Sequence, residues 1–155
     1  LLIDPAYHAN CGNNMLVYGE IILFRTLNRP YHECGVFSSK GLNDVCDFAK
    51  LDSDKILALW HAGGNWGDIY GEYQELRLKA LQSLTDRGVS VIGLPQSFFY
   101  ESKPLQDVNA SQLSDMVERG LNLTLTWRQS DSHALASKAY PGVRNLLSSD
   151  LAFTS

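Results

Sequence analysis

The chain has 155 residues, which suits one domain large enough to bury a core of its own. Its hydrophobic content of 45% and charged content of 19% are typical of a folded globular protein and exclude a disordered chain. The formal net charge is −4 and no basic cluster occurs, so neither nucleic acid nor an anionic membrane is an expected partner. No apolar run reaches the length of a membrane span. The histidines and cysteines show no ligand spacing, so no metal site is predicted.

Hydrophobic periodicity and turn residues divide the chain into alternating strands and helices. The predicted elements in chain order are a strand over 1–4, a helix over 15–27, a strand over 32–38, a helix over 43–50, a strand over 55–60, a helix over 69–84, a strand over 89–94, a helix over 111–119, a strand over 121–127, a helix over 128–140 and a short strand over 143–147. Asn14 and Ser111 are the expected N-caps of the first and fourth helices. Pro95 is expected to end its strand.

The helix over 69–84 carries apolar residues at steps of three and four, which predicts one buried face. That face comprises Ile69, Tyr73, Leu76, Ala80 and Leu84. The alternation of strands and helices predicts an α/β fold with a mostly parallel sheet. Ligands of such sheets bind outside the carboxyl ends of the strands, so the loops that follow strands are the expected functional rim.

The densest of these loops is the segment 61–68, which reads His-Ala-Gly-Gly-Asn-Trp-Gly-Asp. It is expected to be a strand-to-helix turn whose glycines let a ligand approach the backbone and whose helix start binds an anion. The segment is one residue short of a dinucleotide fingerprint, but the required acid is missing where Gln96 stands. No Walker lysine is present, which excludes a P-loop.

Individual residues of the rim allow two interpretations each. Asp68 is either a site residue or the cap of the helix beside it, and His61 is either a site residue or a satisfied, half-buried histidine. Asn65 is more simply interpreted as a site residue, because an amide side chain between glycines contributes little to a core. Arg128 suits a carboxylate or phosphate, and the alternative is a salt bridge to one of two acids, Asp131 or Asp150. Ser97 lacks the glycine flanks of a nucleophile elbow.

Five blocks together resemble the polysaccharide pyruvyl transferases in order and spacing. They are Gly12-Asn13, the segment 61–68, Pro95-Gln96-Ser97, Arg128 with Ser132 four residues later, and Asp150-Leu151-Ala152-Phe153. The resemblance implies a doubly wound, Rossmann-like sheet that forms one lobe of a two-lobed, glycosyltransferase-B-like enzyme. Residues 1–155 would be the N-terminal lobe, and the C-terminal lobe is expected to lie outside this chain.

The activity that the resemblance implies is transfer of a pyruvyl group from phosphoenolpyruvate to a sugar of a polysaccharide or glycan, with no cofactor. The implied catalytic residues are Asp68, His61 and Arg128. The implied substrate-binding residues are Gly12, Asn13, Gly63, Gly64, Asn65, Gly67, Gln96, Ser97 and Ser132. The alternatives are a lobe of a nucleotide-sugar-dependent glycosyltransferase or epimerase, and a catalytically inactive carbohydrate-binding relic. The location is open: the cytoplasm for a bacterial-type enzyme, the Golgi lumen for a eukaryotic one.

Overall fold

The computed structural model describes residues 1–5, 10–35, 47 and 55–153. The strands are β1 (Leu2–Ile3), β2 (Glu33–Cys34), β3 (Leu57–Trp60), β4 (Gly63–Gly67), β5 (Ser90–Phe99), β6 (Leu123–Trp127) and β7 (Arg144–Leu147). The helices are α1 (Cys11–Thr26), α2 (Gly71–Thr85), α3 (Lys103–Glu118) and α4 (Ser130–Ala139), followed by a 3₁₀ helix (Leu151–Phe153). None of these helices is long and apolar enough to cross a bilayer.

The seven described strands form one sheet in the order β2-β1-β3-β5-β6-β7, with β4 paired beside the later part of β5, and all of their pairings are parallel. The predicted α/β fold with a mostly parallel sheet is therefore confirmed, and the architecture is Rossmann-like. The strand order reverses between β1 and β3, because the chain leaves β1 toward one edge and β3 toward the other. Such a switch point opens a crevice at the carboxyl ends of the two strands.

Helices cover both faces of the sheet. On one face, Leu16 and Phe24 of α1 pack with Leu151 of the 3₁₀ helix against Leu2 and Leu59 of the strands. On the other face, α2, α3 and α4 bury a larger core against the sheet, which includes all three tryptophans. Alternate residues of the strands serve the two cores, as the pleat requires.

The start of α1 differs from the prediction. The helix begins at Cys11, and its N-cap is Asn10 instead of Asn14. The Asn10 Oδ1 accepts hydrogen bonds from the backbone N–H groups of Gly12 (2.9 Å) and Asn13 (3.4 Å). An earlier asparagine thus satisfies the free N–H groups first, and the turn-rich sequence up to Asn14 becomes the first helical turn.

The loop predicted between Pro95 and Ser111 is largely regular structure. Strand β5 continues through Pro95 to Phe99, because the ladder to β6 shifts register between Gly93 and Gln96 and needs no N–H from the proline. Helix α3 then begins at Lys103. Its N-cap is Ser102, whose Oγ accepts from the Leu105 N–H at 3.3 Å, and the predicted cap Ser111 lies inside the helix.

The buried face of α2 is also different from the prediction. Ile69 precedes the helix and is 50% exposed, and Tyr73 is 41% exposed. Ala80 and Leu84 are buried as predicted, but the buried face begins with two polar side chains, Gln74 and Arg77. The apolar pattern did not predict this face, because Arg77 bonds to Gln74 and to Asn65 inside the protein and both polar side chains can therefore be buried. Most of the helix predicted over 43–50, and the end of the strand predicted over 32–38, lie outside the described residues.

Candidate functional site

The glycine-rich segment is a strand and not the predicted strand-to-helix turn. Strand β3 pairs with residues 90–93 of β5, and β4 pairs with residues 96–99 of the same strand, so the two continue one line with a break at His61 and Ala62. Helix α2 starts only at Gly71. The strand-to-helix turn predicted over 61–68 is therefore wrong, because Gly63, Trp66 and Gly67 pair with β5 and no helix starts within the segment. Binding of an anion by this segment stays a prediction.

His61, at the break, is held by a buried carboxylate. Its Nδ1 lies 2.8 Å from Oε1 and 3.0 Å from Oε2 of Glu20, which extends from the middle of α1. The Ala62 N–H donates to the same Oε1 at 2.9 Å. Glu20 is fully buried and His61 is 6% exposed. Helix α1 is thus tied to the carboxyl end of β3 by a paired acid and base.

Gln96 bonds to the chain just beyond the end of β3. The pairing of β3 with β5 ends at Trp60, and the side-chain Nε2 of Gln96 donates to the backbone carbonyl of the next residue, His61. The backbone carbonyl of Gln96 accepts a hydrogen bond from the Arg128 N–H at 3.0 Å. The Gln96 Oε1 is buried and has no hydrogen-bond partner among the described residues. Gln96 therefore positions the backbone of two other predicted site residues.

Arg128, just after β6, is fixed on two sides. Its Nε donates to Ser97 Oγ at 2.8 Å, and its Nη1 donates to Asp150 Oδ2 at 2.8 Å. The salt bridge to Asp150 is the one predicted as the alternative interpretation. The other terminal nitrogen, Nη2, lies so close to Gly64 that a Cβ there would be 3.0 Å away. Among the described residues Nη2 has no hydrogen-bond partner, so one edge of a pre-oriented guanidinium remains available.

Asn65 contacts a second arginine on the opposite side of the strand. Arg77 of α2 donates from Nη2 to the Asn65 Oδ1 at 2.9 Å and from Nη1 to its carbonyl at 3.3 Å. The Arg77 guanidinium carbon lies over the rings of Trp60 and Trp66, 5.4 Å and 4.7 Å from their centroids. Burial lowers the pKa of Arg77 to about 10, and the nearby Asp4 opposes that change, so the charge persists at neutral pH.

The last residues of the segment hold the fold together. At Gly67, whose φ is +134°, a Cβ would lie 1.6 Å from the carbonyl oxygen of Phe99. The Asp68 carboxylate accepts from the N–H groups of Glu101 (2.8 Å) and Ser102 (2.7 Å), so both of its oxygens are engaged. Asp68 therefore does not cap α2, as one interpretation held. It ties β4 to the start of α3.

The predicted site residues fall into two groups along the sheet. Gly63 pairs with Gln96 whereas Gly67 pairs with Phe99, so Asp68 lies roughly 10 Å or more further along β5 than Gly63 does. His61, Gly64, Gln96, Ser97 and Arg128 are linked through contacts at the near end.

Ser132, in α4, is 4% exposed and belongs to the far group. Its Oγ accepts the Phe98 N–H at 3.0 Å and lies 3.1 Å from the Gln129 Oε1, to which it donates. Gly12 and Asn13 lie in the first turn of α1, where their backbone N–H groups donate to the Asn10 Oδ1.

Comparison with known proteins gives this geometry a family context. No protein-family model matches the chain. Pyruvyl transferase 1 of Schizosaccharomyces pombe is 28% identical over 158 aligned residues, which cover 98% of the chain and 37% of that protein. The chain is a distant homologue of pyruvyl transferases.

Two proteins of Bacillus subtilis extend the comparison. The one named "Putative pyruvyl transferase EpsO" is 29% identical over 119 residues, which cover 76% of the chain and 35% of that protein. General stress protein 30 is 24% identical over 133 residues, which cover 83% of the chain and 37% of that protein. This homologue of pyruvyl transferases thus spans little more than a third of the length of the relatives it matches.

Reasoning from the sequence missed Glu20 and Arg77 in this homologue. A signal for Glu20 was present, because it stands four residues from both Leu16 and Phe24, on the buried line of α1. A carboxylate on an apolar helix face requires a buried donor. No comparable signal marked Arg77, because its aromatic neighbours come from strands that only the fold brings beside α2.

Proposed function

We propose that the chain forms one lobe of a two-lobed enzyme that transfers a pyruvyl group from phosphoenolpyruvate to two hydroxyls of a sugar, with no cofactor. Homology to pyruvyl transferases supports the reaction class. The observation that carries the proposal is the free edge of Arg128 beside Gly64. It offers a fixed cation at the carboxyl end of a parallel sheet, where such folds bind ligands.

The donor carries a carboxylate and a phosphate, and both suit this edge of Arg128. A guanidinium held by Ser97 and Asp150 has lost its rotational freedom before the substrate arrives, so less entropy is lost on binding. Gly64 is exposed and lacks a side chain, so an anion can reach Nη2 past the strand backbone. Asp150 neutralises part of the charge of Arg128, so that the anionic donor and the phosphate product can dissociate from it.

The reaction balances with two proton transfers. One sugar hydroxyl bonds to the enol carbon of phosphoenolpyruvate while the methylene carbon takes a proton and becomes a methyl group. The second hydroxyl bonds to the same carbon as the C–O bond to phosphate breaks. Two hydroxyl protons are lost, one is gained by the methyl group, and one leaves with inorganic phosphate. In this scheme His61 handles a hydroxyl proton and Arg128 holds donor charge.

Most of the remaining predicted residues receive supporting duties in the proposal. Gln96 and Ser97 position the backbone and guanidinium described above, and Gly63 and Gly64 give the donor access to β4. We assign Asp68 a structural duty, because both of its oxygens already accept backbone N–H groups. Gly12 and Asn13 would face the acceptor from the first turn of α1.

The test uses the protein that carries this chain, with phosphoenolpyruvate and a β-galactoside acceptor. We expect stoichiometric release of phosphate and a ketal on the acceptor, detected by its methyl signal in NMR. Arg128→Ala should lower kcat/KM about 100-fold, equivalent to ~2.7 kcal/mol, and Arg144→Ala on β7 is the matched arginine control. Absence of both phosphoenolpyruvate binding and ketal formation in the unaltered protein would overturn the proposal.

A further inference from the structure

The position of Glu20 is unfavourable for a carboxylate, because burial removes its hydration. Glu20 is fully buried on a helix face between Leu16 and Phe24, where an apolar side chain would pack without loss of hydration. Within the described part of the chain, its only hydrogen-bond partners are His61 Nδ1 and the Ala62 N–H. Both of them lie at the break between β3 and β4. A buried carboxylate that bonds to one histidine adds little to the stability of the fold, but it fixes the orientation of the imidazole ring.

The contacts decide which ring nitrogen carries the hydrogen. Glu20 already accepts the Ala62 N–H on Oε1, and an ionised carboxylate has no hydrogen to give. Nδ1 of His61, which is 2.8 Å and 3.0 Å from the two carboxylate oxygens, must therefore be the donor. In the neutral ring the lone pair is then on Nε2. No described residue forms a hydrogen bond with Nε2.

We infer that Glu20 is a positioning residue that holds His61 in the Nδ1–H form, so that Nε2 takes the proton of an attacking sugar hydroxyl. This inference rests on the proposed pyruvyl transfer. As the hydroxyl oxygen bonds to the donor carbon, its hydrogen moves to Nε2, and the imidazolium charge forms beside the Glu20 carboxylate. Nε2 returns that proton to the departing phosphate, and the ring is neutral again. Gly64 lies three residues beyond His61 on the continuation of the same strand line, and Arg128 follows β6, on the other side of β5.

The first experiment measures the tautomer directly. Two-bond ¹H–¹⁵N correlations of ring-labelled histidine distinguish Nδ1–H from Nε2–H, and His61→Gln assigns the signal among the four histidines of the chain. We expect Nδ1–H in the unaltered protein. In Glu20→Gln the amide oxygen keeps the Ala62 N–H, so the amide NH₂ faces Nδ1 and the ring should change to Nε2–H. An Nε2–H ring in the unaltered protein would overturn the inference, whether or not the variant folds.

The second experiment separates orientation from binding. Glu20→Gln should lower kcat for ketal formation by about 100-fold and leave KM for phosphoenolpyruvate within about twofold, because the donor contacts do not involve Glu20. The matched control is Glu75→Gln, the same chemical change at an exposed ion pair on α2, which should leave kcat unchanged. An unchanged kcat in folded Glu20→Gln would also overturn the inference.

The two experiments distinguish failure of the inference from failure of the proposed function. If the unaltered protein forms no ketal, the proposed function fails and the tautomer measurement still judges the role of Glu20. If it forms the ketal but Glu20→Gln keeps both the Nδ1–H ring and full kcat, the function stands and the inference fails.

Discussion

The two ends of the segment 61–68 use similar residues for opposite purposes. At the near end, Gly64 is exposed and the space a side chain would need is bordered by Nη2 of Arg128. At the far end, Gly67 is buried and its missing side chain makes room for the backbone of Phe99. A glycine in a site-like motif can therefore serve ligand access or strand packing. Only the neighbouring atoms distinguish the two.

The acidic residues of the two ends contrast in the same way. Asp68 accepts a backbone N–H group with each of its two oxygens, which ties β4 to the start of α3. Glu20, which belongs to the near end by contact, uses its oxygens to orient a histidine whose other nitrogen is unengaged within the described chain. We therefore expect changes at the far end to alter stability and changes at the near end to alter activity.

The largest expected effect is at Gly67. Gly67→Ala puts a Cβ 1.6 Å from the Phe99 carbonyl oxygen at a φ of +134°, so the strand pair cannot form without a shift of backbone. We expect a loss of at least ~3 kcal/mol in the free energy of unfolding, measured by urea denaturation.

Gly71→Ala is the control for this change, because a Cβ there meets nothing within 4 Å at the start of α2. It should be neutral or stabilising by less than about 1 kcal/mol. A Gly67→Ala protein as stable as the Gly71→Ala protein would show that β4 does not pack as described.

A smaller loss of stability is expected at Asp68. Asp68→Ala leaves the N–H groups of Glu101 and Ser102 without their acceptor, which should cost about 1–3 kcal/mol in the free energy of unfolding. Activity per folded molecule should change less than about threefold. Asp107→Ala, which removes an exposed ion pair with Lys103, is the control and should cost less than ~0.5 kcal/mol. A 100-fold loss of kcat with stability intact would instead make Asp68 a catalytic residue.

The smallest expected effect is at Gly64 and falls on binding. Gly64→Ala places a Cβ 3.0 Å from Arg128 Nη2, so the guanidinium held by Ser97 and Asp150 must shift by a few tenths of an ångström. We expect a stability change below ~0.5 kcal/mol and a rise of about three- to tenfold in KM for phosphoenolpyruvate, from steady-state kinetics. An unchanged KM would mean that this edge of the guanidinium does not meet the donor.

Long-range features of the fold were predictable because they follow from periodicity. The alternation of elements required a parallel sheet, and the sheet in turn required that the loops after strands share one edge. The helix starts were predicted less well. Asn10 and Ser102 cap helices that were expected to begin at Asn14 and Ser111, since residues of these types are about equally good caps and packing selects among them.

The sequence by itself determined the α/β class and the resemblance that homology to pyruvyl transferases supports, and it predicted at which end of the strands the candidate site lies. Those inferences depend on local pattern and on motifs that are contiguous in the chain. Only the tertiary structure decided that Glu20 orients His61, that Asp150 and Ser97 fix Arg128, and that Gly67 and Asp68 hold strands together. Each of these roles depends on atoms from elements far apart in the chain, and sequence spacing does not record their distances.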